Sequence, residues 1–300
     1  MSANLSIRPA QVADQEAVLA FCAHIWDGHD YIPGVWDEWL NDPGGIFLTG
    51  LLDGVPIGVT RAFFPTPDEA WMEGMRVDPV HRGAGVAMAL SAALVEACRA
   101  RGARVVRLMT MGDNYPIHHI CGRLGLDLVL RLRRRFCPAE RGPAPAALWQ
   151  LAAADLPLAQ ELFARPARGP RYLEATGGRY SRAGGVWSAW NEERLREHLE
   201  RGEVWTWVEE GGPRAAAVVN PHRRRVGVYE VGLLEGPAPA CAALLAALCR
   251  RDTLPPTAPD DTPGTRMFLP VGLTRLHRAA ARAGYHTTWR GQQFIFERVF

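Results

Sequence analysis

Val77-Asp78-Pro79-Val80-His81-Arg82-Gly83-Ala84-Gly85-Val86-Ala87 joins two segments of different periodicity. Ahead of it, Trp71, Glu73, Met75 and Val77 alternate with Met72, Gly74, Arg76 and Asp78, the period of two of a strand. Behind it, Val86, Ala89, Leu90, Ala93, Leu94 and Ala97 recur at helical spacing until Gly102 supplies a stop. A strand therefore feeds a glycine turn that opens a helix. Gly83 and Gly85 let the backbone turn tightly and come close to a ligand, while the first helical N–H groups are left without partners. Such a turn is a nest for an anion, phosphate above all.

Outward from the turn, the pattern is that of an antiparallel meander. Leu5 to Pro9 reads as a strand, and Val18, Phe21, Cys22 and Ile25 lie on one face of a helix that Asp14 is placed to cap. Asp27 to Gly34 is rich in turn formers and reads as a loop carrying His29, Asp30 and Tyr31, with a short helix over Trp36 to Leu40. Two strands, Ile46 to Leu52 and Pro56 to Phe64, flank the hairpin signal Asp53-Gly54. After the turn and its helix come a strand over Arg104 to Thr110, a helix over Asn114 to Leu124 closed by Gly125, and a strand over Asp127 to Phe136.

Cys137 to Ala147 is rich in Pro, Ala and Gly and reads as a boundary. The plan then repeats: a helix over Ala154 to Ala164, a hairpin of Val204 to Glu209 with Arg214 to Asn220, a strand over Val226 to Leu233, a helix over Ala240 to Cys249, a strand over Arg266 to Val271 and a helix over Leu273 to Gly284. The second turn, Glu235-Gly236-Pro237-Ala238-Pro239-Ala240, carries a carboxylate and two prolines without N–H groups, so no diphosphate is expected there. The expected domains are residues 1–137, a linker over 138–147, and residues 148–300.

Composition narrows the chemistry. The chain has 300 residues, 48% of them hydrophobic, and its net charge of +2 gives no reason to expect nucleic acid or an anionic membrane as partner. Arginine runs at Arg131 to Arg135 and His222 to Arg225 read as a solvated strand face and a hairpin tip. Lysine is absent, which excludes a Walker P-loop and a pyridoxal Schiff base. The six cysteines show no paired metal spacing, no metal site is expected, and a reducing, cytoplasmic location follows. The start of the chain has no basic, apolar leader pattern, and no apolar run approaches a membrane span.

Arg82 to Ala87 matches the R/Q-x-x-G-x-G/A motif of the GCN5-related N-acetyltransferase (GNAT) superfamily, with the V-x-P lead-in at Val77 to Pro79, Asn114 and Gly125-Leu126 in the family order. The resemblance covers about Leu5 to Phe136. It implies an α+β fold, a mixed and mostly antiparallel central sheet flanked by helices, with a degenerate second half of the same kind that walls the acceptor pocket. Blocks at Gly28 to Pro33, Trp39 to Pro43 and Glu73 to Val77, and the closing Gln292 to Glu297, are similar to the histidine N-acetyltransferase branch.

The resemblance implies acetyl-CoA as co-substrate and transfer of its acetyl group to a small amine, histidine or a related amino acid by the narrower likeness. Arg82, Gly83, Ala84, Gly85, Val86 and Ala87 would hold the pyrophosphate, and Met75, Arg76 and Val77 the pantetheine arm, with Asn114 beside it. An amide near Met75 would polarise the thioester carbonyl. Glu73 is the candidate general base, because only a free amine attacks; on a regular strand it shares a face with Met75 and Val77. For an amino-acid acceptor, Arg61 or Arg76 would hold the carboxylate, Asp30 or Tyr31 would bond an imidazole, and Trp36 or Trp39 would stack on it. The tyrosine that protonates the leaving thiolate in the family falls at Cys121 here; Tyr115, His118 and His119 are nearby. Two other readings stay open: a non-catalytic acyl-CoA sensor, and a peptide or protein acetyltransferase.

Overall fold

A computed structural model describes residues 4–25, 28–164, 171–251, 262–288 and 291–300. They form two compact units, the first made of residues 1–110, 114–129 and 295–300, the second of 111–113 and 130–294. The final six residues thus cluster with the first unit rather than with residues 148–294.

The first unit runs β1 (Leu5–Pro9), α1 (Gln15–Cys22), α2 (Ile32–Leu40), β2 (Ile46–Leu52), β3 (Val55–Thr66), β4 (Glu69–Val77), α3 (Val86–Ala100), β5 (Val105–Met111) and α4 (Tyr115–Arg123). Strands β1 to β4 pair antiparallel in sequence order, and β5 adds in parallel to β4. Asp53 and Gly54 take φ of +50° and +86°, the left-handed turn that the Asp-Gly pair announces.

Helices α1 and α2 cover one face through Val18, Phe21, Cys22, Ile32, Trp36 and Trp39, packed on Phe47 and Val59. Helix α3 covers the other. Gly50 and Gly58 face each other across β2 and β3, and a Cβ on Gly58 would stand 3.0 Å from Leu90 Cδ1 and 2.9 Å from the Arg76 carbonyl, so the absent side chains let α3 sit close to the sheet.

Two local readings change. Helix α2 begins at Ile32, earlier than the pattern implies, because Pro33 is at home in a first helical turn. Asp14 is itself helical and accepts N–H from Gln11 and two bonds from Arg8, closing the turn before α1 rather than capping the helix. Asp27, named with the loop, lies outside the described residues.

The second unit contains β6 (Asp127–Pro138) from Leu130 onward, β7 (Glu140–Arg141), β8 (Leu148–Leu151), α5 (Leu156–Ala164), α6 (Tyr172–Ala175), β9 (Arg179–Arg182), β10 (Val186–Ala189), α7 (Glu192–Glu200), β11 (Val204–Glu209), β12 (Gly212–Pro221), β13 (Val228–Glu235), α8 (Ala238–Leu248), β14 (Arg250–Arg251), β15 (Gly264–Pro270) and α9 (Thr274–Arg282). Its sheet order is β6-β15-β13-β12-β11-β8, with only β13 and β15 parallel. Arg133, Arg134 and Arg135 on β6 are half-buried rather than a solvated face, and burial together with nearby Arg266 and Arg225 lowers the Arg134 pKa.

The last strand, β16 (Gln293–Val299), carries Glu297 into the first unit. There Arg107 on β5 bonds both Glu297 and Glu69, at 2.6 Å for the latter, and all three side chains are buried. The Phe300 amide donates to the Arg104 carbonyl at 2.9 Å. Among the described residues, no helix is long and apolar enough to cross a membrane.

Candidate active site

Strand β4 is the spine of the site, and it is not regular. Val59 pairs with Arg76 and Arg61 with Glu73, so three steps on β4 match two on β3. The extra residue is a bulge at Gly74, where φ is +72°. A Cβ there would lie 2.5 Å from the Trp39 ring, so both the conformation and the space demand glycine.

The bulge changes which side chains share a face. Glu73 stands with Arg76, Arg61 and Val59 towards α1 and α2, while Met75 and Val77 point to the α3 side. The expectation that Glu73 shares a face with Met75 and Val77 fails because one inserted residue reverses the alternation. A glycine inside a strand pattern is the signal that announces it. Gly74 and Met75 have no register partner on β3.

On its other edge β4 pairs with β5 over Glu69 to Trp71, opposite Val105 to Arg107, and the register goes no further. The two parallel strands part beyond Trp71, which leaves the β5-side edge of the Met75–Val77 segment outside the ladder.

At the end of β4, Asp78 accepts the Val80 amide at 3.1 Å and closes a short 3-10 turn. Arg82, Gly83, Ala84 and Gly85 are all exposed, and Gly83 and Gly85 have φ of +83° and +82° with nothing within 4 Å of a built Cβ. Gly85 is the residue before α3 and offers no side-chain cap; Val86 is buried and Ala87 half-buried. The amides of the first helical turn therefore open onto an unobstructed surface. Asn114 precedes α4, and its side-chain amide donates to Thr110 Oγ1 at 3.0 Å, back towards β5.

On the α2 face, two ion-pair groups flank Glu73. Arg61 donates 2.8 Å to Glu73 Oε1 and also bonds Asp42. Its guanidinium lies 5.0 Å from the Trp39 ring centre and 5.3 Å from that of Phe63. Arg76 donates to both oxygens of Asp30, at 2.7 and 3.0 Å, and to the Met75 carbonyl at 2.9 Å. Burial disfavours the Arg76 charge, but the bonds to Asp30 together with the nearby Tyr31, Asp30 and Cys22 as sources of negative charge raise the pKa overall. Asp30 also takes the Ile32 amide at 3.1 Å at the start of α2, and the buried Cys22 thiol, close to Asp30, is pushed up to about 12. Tyr31 lies against Arg76 at 5.0 Å and edge-on to Trp39 at 5.9 Å.

These partners revise the expected acceptor contacts. Arg61 and Arg76, foreseen as carboxylate clamps, are spent on carboxylates of the chain itself. Asp30, foreseen as an imidazole partner, has both oxygens on Arg76. Trp36 is 1% exposed and packs edge-on to Phe47 at 5.0 Å, a core residue rather than a stacking platform. Asp42 carried no expected role, although the Asp-Pro-Gly-Gly turn that places it is visible in the sequence. Cys121 on α4 is 1% exposed and burial pushes its thiol up to about 12, so it packs and holds its proton. Tyr115 is exposed, and the half-buried His118 ring sits 5.2 Å from Phe296.

The second unit repeats the spine without the equipment. Its central strand β13 is bulged at Gly232, and each bulge lies three residues before the strand ends, 74 to 77 and 232 to 235. Val231 stands where Glu73 does. A Cβ on Gly232 would meet the Ser181 carbonyl at 1.8 Å, because the β9–β10 hairpin lies directly on the bulge. The following turn begins buried and opens out at Pro239: Gly236 presses on Ala215, Glu235 accepts the Leu173 amide at 2.8 Å, and Pro237 and Pro239 withhold two donors.

Comparison with known proteins agrees with this geometry. Residues 15–126 match the acetyltransferase (GNAT) family. Over 96 residues the chain is 31% identical to histidine N-acetyltransferase of Xenopus tropicalis, a match covering 31% of this chain and 30% of that protein. A GCN5-related N-acetyltransferase from Sphaerobacter thermophilus superposes with a TM-score of 0.58 at 16% identity, over 98% of this chain and 95% of that one. A tandem GNAT protein from the clavulanic acid biosynthesis pathway gives 0.52 at 12% identity, over 99% and 98%. The family match is confined to residues 15–126, and over the whole chain the fold is that of these two solved structures, one of them a tandem GNAT protein.

Proposed function

We propose that this chain is an acetyl-CoA-dependent N-acetyltransferase that acts on the amine of a small molecule by direct attack within a ternary complex. The observation that carries the reading is the pairing of two features on one strand: β4 parts from β5 after Trp71, and it runs into the open, uncapped amides ahead of α3. An extended thioester arm fits along Met75 to Val77 while its diphosphate rests on Gly83 to Ala87, with Arg82 adding charge and Asn114 flanking the arm. The Met75 amide, in the bulge, is the donor for the oxyanion, a contribution of about 3 kcal/mol in sites of this kind. Glu73 takes the proton from the amine. The CoA thiolate leaves without a dedicated acid, since a free thiol has a pKa of about 8.5.

One site per chain is the consequence, because the second unit has Val231 for Glu73 and a turn that carries a buried carboxylate, Glu235, and two prolines. The acceptor class follows from the ion pairs. With Arg61 and Arg76 already on Glu73, Asp42 and Asp30, an acceptor recognised through its amine suits the site better than one that must anchor a carboxylate; the likeness to histidine N-acetyltransferase favours the opposite, histidine itself. Thiol release from acetyl-CoA against free amino acids, amines without a carboxylate and short peptides separates these: release is expected with amines that lack a carboxylate, and release confined to histidine and its analogues would favour the second acceptor. Acyl-CoA binding without turnover is favoured by one observation, the buried Cys121 in place of an acid, and tight acetyl-CoA binding with no release across the panel would establish it.

A further inference from the structure

Arg61 is held more firmly than an ion pair requires. It is 3% exposed, it lies against the rings of Trp39 and Phe63, and a Cβ on Gly45 would stand 3.3 Å from its Nε, which is buried without a partner among the described residues. One Nη bonds Glu73 and the other bonds Asp42, whose side chain is 27% exposed. A planar guanidinium held against two rings allows its two carboxylates few orientations. The charges matter equally. Two carboxylates share one guanidinium, so the three groups carry a formal charge of −1 between them.

We propose that Arg61, clamped by Asp42, is the positioning residue that aims Glu73 at the acceptor amine. This rests on the reading of Glu73 as the base. Lysine at residue 61 keeps the charge but cannot span both carboxylates, so Glu73 loses its fixed rotamer.

The test is a mutant cycle on the full chain, with thiol release followed at saturating acetyl-CoA and each variant's urea midpoint recorded. Arg61→Lys is expected to lower kcat about tenfold, the scale of a displaced catalytic group, with the KM for acetyl-CoA changed by no more than about twofold. Introduced into Glu73→Gln, the same change should cost less than about twofold, because nothing remains to be aimed. Asp42→Asn, at a partly exposed side chain, repeats the cycle if Arg61→Lys does not fold. Equal losses with and without Glu73 would make Arg61 merely structural and overturn the proposal. Full activity of Glu73→Gln would overturn the base and its positioning residue together, and no release by wild type on any amine would remove the parent reading as well.

Discussion

Gly74 shows how far a single residue organises this site. Its φ of +72° makes the bulge, and the bulge puts Glu73 beside Arg61 and leaves Met75 without a partner on β3. Gly74→Ala is expected to cost about 3 kcal/mol, combining left-handed strain with a Cβ 2.5 Å from Trp39, whereas Gly83→Ala, with the same strain and open space, should cost about 1 kcal/mol. Urea denaturation of both variants measures the difference; equal midpoints would mean that Trp39 yields freely. The turn glycines were legible in the sequence because positive φ and open amides are local properties. The ion pairs were not. Asp30 is 46 residues from Arg76 and Arg61 is 12 from Glu73, and both pairings depend on a register that one inserted residue decides. Reading β4 as regular therefore misplaced the face of Glu73 while naming it correctly as a polar residue of the central strand.

Elements with strong periodicity or turn chemistry could be read directly: the Asp53-Gly54 hairpin, α3 between its two glycine-bearing ends, and the repeat of strand and helix after residue 147. Short polar elements could not, and β9, β10 and α7 had no expectation attached, since four-residue strands carry too little alternation and α7 is largely charged. Glu235, at the end of β13, offers a test at this scale. Burial raises its pKa to about 6 from 4.5, against the lowering effect of the Leu173 and Tyr172 amides. The folded protein then binds this proton more tightly than the unfolded chain, so the stability contribution is complete below about pH 4.5 and falls away as pH rises through 6, by on the order of 2 kcal/mol. In Glu235→Gln that loss should vanish, and urea midpoints at pH 4.5 and 7.5 should differ less than in wild type. Identical pH dependence in the two proteins would contradict this account.

At the scale of the whole molecule, chain order and compact units do not coincide. The boundary expected near residue 137 rested on composition, whereas the contacts assign residues 130–137 to the second unit and 295–300 to the first. No sequence pattern announces which sheet a closing strand joins, because any strand with one apolar face has several sheets open to it. Here the choice is marked by charge: Glu297 meets Arg107 and Glu69 where all three are buried. Glu297→Ala should destabilise the protein by about 3 kcal/mol, the cost of breaking a buried pair, read from the first urea transition. A change below about 0.5 kcal/mol would show that Glu69 alone suffices for Arg107.

The position of Glu297 also bears on synthesis. The first unit has nearly all its residues once Val129 has been added, yet the carboxylate that completes its buried triad is added 168 positions later, since 297 − 129 is 168. At about 5 to 20 residues per second, a ribosome needs roughly 8 to 34 s to cover that distance. Throughout that interval the nascent first unit must carry Arg107 with one partner fewer than in the finished protein.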